Sequence, residues 1–158
     1  MVTLRNRHYN NCLRCPLIFE GERRPEEPFR LGSLNFDLLS ARKLCRDSML
    51  HRVDPTALAA WLEVFPLLPE HVDHLPTGLG PGIMVTLPNG LGRPLIDGNH
   101  RAARALREGV EFLAFVLPES RTRKLLIRTM GRTAANRLWN RLCDYQFNPN
   151  DVQQGEER

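Results

Sequence analysis

The stretch from Leu95 to Leu106 leaves little freedom to the local fold. Leu95 and Ile96 read as the end of a buried strand, and Asp97-Gly98 marks a sharp turn. Ala102, Ala103 and Leu106 then recur at helical spacing, with Gly109 a stop just past the helix end. Upstream, Ile83-Met84-Val85-Thr86-Leu87 reads as a strand. Asn89-Gly90 at the centre of Pro88 to Gly92 predicts a hairpin turn, and Arg93 to Ile96 reads as the returning strand. Downstream, Phe112 to Leu117 is an apolar run of buried-strand length, ended by Pro118. This order of elements predicts an α+β fold.

The turn into the helix is also where chemistry concentrates. The first amides of a helix have no intrahelical partner, and its dipole adds partial positive charge there. The amides of Gly98, Asn99 and His100 are therefore a candidate phosphate cradle. Gly98 permits close approach to the backbone, and His100 and Arg101 supply donors or positive charge. Arg104, one turn beyond His100, extends the same contact or belongs to a solvated helix face. Asp97 is acidic where an anion would sit, which fits a metal ion, a substrate hydroxyl or a tie to Arg101. Plainer structural roles stay open as well: Asp97 as a helix cap, and Arg101 paired with Glu108.

At 158 residues the chain is long enough to bury its own core without staples. No apolar run approaches a membrane span, and Met1 to Asn11 holds no apolar signal core, so a soluble, cytoplasmic protein with no membrane partner is expected. Residues 1–30 are polar and interrupted by Pro25 and Pro28, and read as an N-terminal arm. Residues 31–118 read as the domain proper. Within it Phe29 to Ser33 suggests a short strand at the boundary, Leu34 to Met49 is helical in part, and Leu67 to Leu79 is a connector. Asp54-Pro55 opens the clearest helix, with Leu58, Trp61, Leu62 and Phe65 as its apolar face. Residues 119–146 read as a basic helical extension and 147–158 as a polar tail.

The net charge of +4 is unevenly spread. Arg121, Arg123, Lys124, Arg128, Arg132, Arg137 and Arg141 follow one another with no acid among them. Such a stripe suits DNA or an acidic protein, or is a solvated face. Cys12 and Cys15 form a C-x-x-C pair with His8 just before it, but Cys45 with His51 is a poor second half for a zinc site. His71 and His74 lack an evident third ligand, so ordinary reduced thiols and histidines are expected. Glu20, Glu63 and Asp54 are further acids open to a catalytic role, with Asp54 assigned to capping and Glu63 to a polar helix side.

The segment Gly82 to Pro118 resembles the ParB/sulfiredoxin-like fold, in the order of its elements and in the glycine motif. ParB-type proteins carry G-E-R-R before an alanine-rich helix, sulfiredoxin carries G-[GC]-C-H-R, and the free-serine-kinase branch is closer to D-G-H-x-R. Here the residues are Asp97-Gly98-Asn99-His100-Arg101, nearest the last. The resemblance implies a small mixed sheet packed with helices and a nucleotide, ATP or CTP with Mg²⁺, held by its phosphates at this turn. Asn99 stands where sulfiredoxin has its cysteine, which argues against that chemistry, and where ParB has its glutamate. Gly21-Glu22-Arg23-Arg24 matches the ParB box by letter but lacks the strand before it and the helix after it.

Two functional expectations follow. One is a nucleotide-binding enzyme (an NTPase, a phosphotransferase or a nuclease) in which His100 and Arg101 stabilise phosphoryl charge and Asp97 orients Mg²⁺ or acts as a base. The other is a non-catalytic module of a plasmid, phage or mobile-element system that holds DNA or an acidic protein through Arg121, Arg123, Lys124, Arg128 and Arg132.

Overall fold

Two short antiparallel pairs come first in chain order: β1 (Leu4–Asn6) with β2 (Leu17–Phe19), and β3 (Phe29–Leu31) with β4 (Leu34–Phe36). The computed structural model describes residues 4–6, 17–19, 28–65, 67, 69–75 and 80–145. His8, Cys12, Cys15, Glu20, the Gly21–Arg24 box and the 147–158 tail lie outside the described residues, as do the side chains of His71 and His74.

Asp37 opens α1 (Leu38–Leu44), its carboxylate accepting from the Ser40 amide at 2.9 Å. A 3-10 turn, Asp47–Met49, leads to β5 (Leu50–Arg52). Asp54 caps α2 (Pro55–Val64) through the Ala57 amide at 2.9 Å, with Pro55 at the first helical position as expected. The connector after it contains a further helix, α3 (Pro69–His74).

β6 (Gly82–Val85) then turns back through Asn89 and Gly90, both at positive φ, into β7 (Leu95–Asp97). Leu91 N closes that turn on Pro88 O at 3.2 Å, the arrangement an Asn-Gly hairpin favours. α4 (Asn99–Glu108) ends on Gly109 at φ +65, and β8 (Leu113–Leu117), α5 (Glu119–Met130) and α6 (Arg132–Asp144) follow it among the described residues.

The larger sheet has the order β5-β8-β6-β7. β8 lies parallel to β6 and antiparallel to β5, and β7 lies antiparallel to β6, so the sheet is mixed. Side chains alternate between its two faces. Ile83, Val85, Ile96 and Leu117 point to a core shared with Phe36, Ala41, Leu44, Leu125, Leu126, Ala135 and Trp139. Leu95 and Ala114 point to a second core with Leu58, Leu62, Ala102, Ala105 and Phe112. Helices thus cover both faces: α1, α5 and α6 on one, α2 and α4 on the other. This is a mixed α+β architecture.

Two boundaries differ from the sequence expectation. Phe29 and Leu31 belong to a hairpin packed against the first core. α5 and α6 are integral to the same core: Leu125, Leu126, Ala135 and Trp139 are the apolar stripes of those helices, and without them α1 and the β3–β4 hairpin alone would cover that sheet face. No helix among the described residues is long and apolar enough to cross a membrane.

The cap of α1 carries a pH signature. Hydrogen bonds from the Ser40 side chain and then its amide hold the Asp37 carboxyl below its ordinary 3.8. A carboxylate depressed in this way stabilises the fold above its unfolded-state value, and the stabilisation is lost as pH falls through the folded value. Asp37→Ala is therefore expected to cost about 1 kcal/mol at pH 7. Urea unfolding of both proteins at pH 7 and again near pH 2.5 should show that difference shrinking with acid. A difference that persists unchanged in acid would mean that the negative charge of Asp37 adds nothing to its cap.

Candidate functional site

Asp97 ends β7, and Gly98 stands between it and α4 with φ +91 and ψ 19. A side chain at Gly98 would meet strain on two counts: the left-handed backbone, and Gly82 Cα and Arg101 NH2, each 3.0 Å from an added Cβ. The helix's own ladder begins when Ala102 N donates to Gly98 O at 2.8 Å. The amides of Asn99, His100 and Arg101 precede it and face the helix mouth.

The Asp97 carboxylate sits at that mouth, its side chain 18% exposed. Its Oδ2 lies 3.4 Å from Arg42 NH2 and 3.6 Å from Arg101 NH2. Oδ1 makes no hydrogen bond to any described residue. The tie between Asp97 and Arg101 is one of the roles open from sequence; a side-chain cap by Asp97 is not what forms. Arg42 comes from α1, 55 residues upstream, and is 56% exposed. Nothing local in the sequence marks it.

Arg101 is largely committed to the protein. Its NH1 donates to Gly80 O at 2.9 Å and Pro81 O at 3.3 Å, pinning the entry to β6 against the α4 start. Arg104 faces elsewhere: it pairs with Glu108 at 2.6 Å and donates to the carbonyls of Val72 and Asp73, at 3.2 and 3.0 Å, at the end of α3. Arg104 is thus turned away from the helix mouth, and Glu108 is its partner rather than Arg101's. Arg107 pairs with Asp73 beside it.

Asn99 is 5% exposed and its side chain is spoken for. Nδ2 donates to Leu95 O at 3.0 Å and Oδ1 accepts from Trp61 Nε1 at 2.6 Å. Only its backbone amide remains for a ligand. His100 meets the edge of Phe65 at 6.5 Å, and Phe65 stacks on Phe29 at 5.8 Å and leans on Trp61 at 6.1 Å. A row of aromatic rings therefore borders the helix start.

Cys45 lies on the same side, at the end of α1, with Sγ donating to Ala41 O at 3.3 Å. Burial, then the Asp97 carboxylate, pushes its thiol up to about 11, so it is held as the neutral form. Among the described residues no group of three or more His, Cys, Asp or Glu is placed to hold a metal. Asp97, expected as a metal ligand, is a single carboxylate with two guanidinium neighbours.

A groove of about 700 Å³ opens on the α2 side of the sheet. Met84, Leu95 and Val116 are among its floor residues and Trp61 is in its wall, with His51 and Arg93 also lining it. Asp97, Gly98, His100 and Arg101 do not line it, so the helix mouth and the groove are separate features, linked by the hydrogen bond between Trp61 and Asn99.

The basic residues divide into two kinds. Arg121 donates to Leu44 O at 3.3 Å, and Arg123 donates to Asn136 Oδ1 at 2.8 and 3.2 Å. Lys124, Arg128, Arg132, Arg137 and Arg141 are exposed and have no acidic partner among the described residues. Comparison with protein-family models, with curated proteins and with solved structures yields no match.

Proposed function

We propose that this chain is a nucleotide-binding protein of the ParB/sulfiredoxin-like kind, with the phosphates held at the start of α4. The observation that carries the reading is the convergence of Arg42 and Arg101 on one oxygen of Asp97 at a helix N-terminus. Two guanidiniums and one carboxylate leave a net positive mouth, and the first-turn amides of Asn99, His100 and Arg101 add donors to it. Arg42 is the more exposed cation of the pair, and its side chain is long enough to turn from Asp97 to a phosphate. Arg101 holds the mouth in shape through Gly80 and Pro81. The rings of Phe65 and Phe29 beside His100 offer a base or sugar an apolar surface.

Magnesium fits this arrangement as a companion of the phosphates. Mg²⁺ commonly takes one or two carboxylates and fills its remaining positions with phosphate oxygens and water. Asp97 Oδ1 is the oxygen open to it, or to the hydroxyl of an acceptor. Such an ion would supply charge neutralisation at the phosphates. Hydrolysis or phosphoryl transfer then depends on Asp97 holding that hydroxyl or water in line.

Thermal unfolding with ATP, CTP, GTP and ADP, each with and without Mg²⁺, tests the reading. A nucleotide at a hundred times its dissociation constant should add about 2.7 kcal/mol to the folded state. Arg42→Ala is the informative variant, because the Arg42 side chain makes no other hydrogen bond or ion pair among the described residues. The expected result is a shift with one nucleotide that disappears in the variant, while the ligand-free unfolding temperature stays close to that of the parent. No shift with any nucleotide, or the same shift in Arg42→Ala, would overturn it.

A further inference from the structure

We infer that the outer side of the α5–α6 pair is a docking face for the phosphate backbone of double-stranded nucleic acid. This surface is independent of the α4 mouth and uses none of its residues. Lys124 and Arg128 lie one turn apart on α5, and Arg137 and Arg141 one turn apart on α6. Arg123 reaches across the seam to Asn136, so cations flank the junction of the two helices from both sides. All five of these cations are exposed.

The character of the other exposed residues narrows the partner. Glu119 and Asp144 are the acids of the two helices, and both sit at the end remote from the Gly131 junction. Between them, the exposed neighbours of the cations include Thr133 and Asn140, neutral groups that hydrogen-bond phosphate oxygens. An ordinary solvated helix mixes both signs of charge along its face, and this one does not.

The pattern also favours a duplex over a single strand. Single-strand sites interleave cations with exposed aromatic platforms on which bases stack. The indole of Trp139 is buried in the core, and Tyr145 lies beyond the end of α6. The face is therefore a rigid, charged, ring-free surface, which meets a phosphate backbone without reading bases.

The test is fluorescence anisotropy of a labelled 20-base-pair DNA duplex between 50 and 200 mM salt. Each phosphate contact contributes about 0.9 to the slope of log affinity against log salt, so five contacts predict a loss of roughly 500-fold over that range. The variant Lys124→Ala/Arg128→Ala/Arg137→Ala removes three contacts and should reduce the loss to roughly 12-fold. Circular dichroism confirms that the variant is folded, and the salt slope of the unaltered protein stands as a second measurement if it is not. Three outcomes would overturn the inference: no duplex binding at 50 mM salt, an unchanged slope in the folded variant, or tighter binding of a single strand or of polyglutamate than of the duplex. The last would assign the face to a flexible strand or to an acidic protein.

Discussion

Gly82→Ala is expected to lower stability by about 3 kcal/mol, near the upper end of what overpacking costs. An added Cβ at this position would lie 2.7 Å from the Asp97 carbonyl oxygen, 2.9 Å from Phe112 Cζ and 3.0 Å from Leu95 Cδ1. The nearest of these is backbone and cannot swing aside. The other two belong to buried side chains of the second core, so relief there displaces packed neighbours. The strain falls where β6 pairs with β7, next to a register irregularity at Ile83 and Met84. Separating these strands moves Asp97 and Gly98 together, so the helix mouth should lose its shape along with the fold. Urea unfolding gives the size of the effect. A loss under 1 kcal/mol would show that the two strands separate freely, and that Gly82 does not fix the geometry of the mouth.

Asn99→Ala should cost about 2–6 kcal/mol, since each buried group left without a partner costs about 1–3 kcal/mol. The substitution strands two such groups, Trp61 N–H and Leu95 C=O. A cycle with Trp61→Phe separates them: the double variant should be less unstable than the sum of the singles, because the Trp61 donor is then absent. Asn99→Asp is a sharper probe. It keeps an acceptor for Trp61 but sets a carboxylate oxygen against Leu95 O, so it should also destabilise. If Asn99→Ala instead leaves stability intact and abolishes nucleotide binding, the side chain belongs to the ligand and not to the fold.

These two residues show how unevenly the sequence reports on the structure. Asp54-Pro55, Asn89-Gly90 and Gly109 were legible because each signal is local: a cap, a turn and a stop are decided within four residues. The strand–glycine–helix unit around Gly98 was legible for the same reason. Leu34 to Met49 was not. It holds a strand, a seven-residue helix and a 3-10 turn, each shorter than the window in which periodicity can be judged. α3 hid in the connector for the same reason, at six residues.

The site was legible in its backbone and less so in its side chains. Gly98, Asp97 and Arg101 do meet at the helix start. Arg104 and the Asn99 side chain carry residue types that suit a phosphate, but tertiary partners 31 to 38 residues away claim them first. Arg42 is the converse: an arginine on a short helix with no motif around it, brought to Asp97 only by the packing of α1 on the sheet. The basic stripe of the last two helices was plain in the sequence. That the same helices close the core depends on Leu125, Leu126, Ala135 and Trp139 finding the sheet.

That closure has a consequence for synthesis on the ribosome. The face of the sheet that carries Ile83, Val85, Ile96 and Leu117 receives much of its cover from α5 and α6, which are made after every strand of that sheet. Until Trp139 has emerged, a nascent chain holds its strands with one apolar side only partly covered. Cooperative folding is therefore postponed until α6 has emerged, and chains halted near Pro118 should be clients of holding chaperones rather than folded fragments.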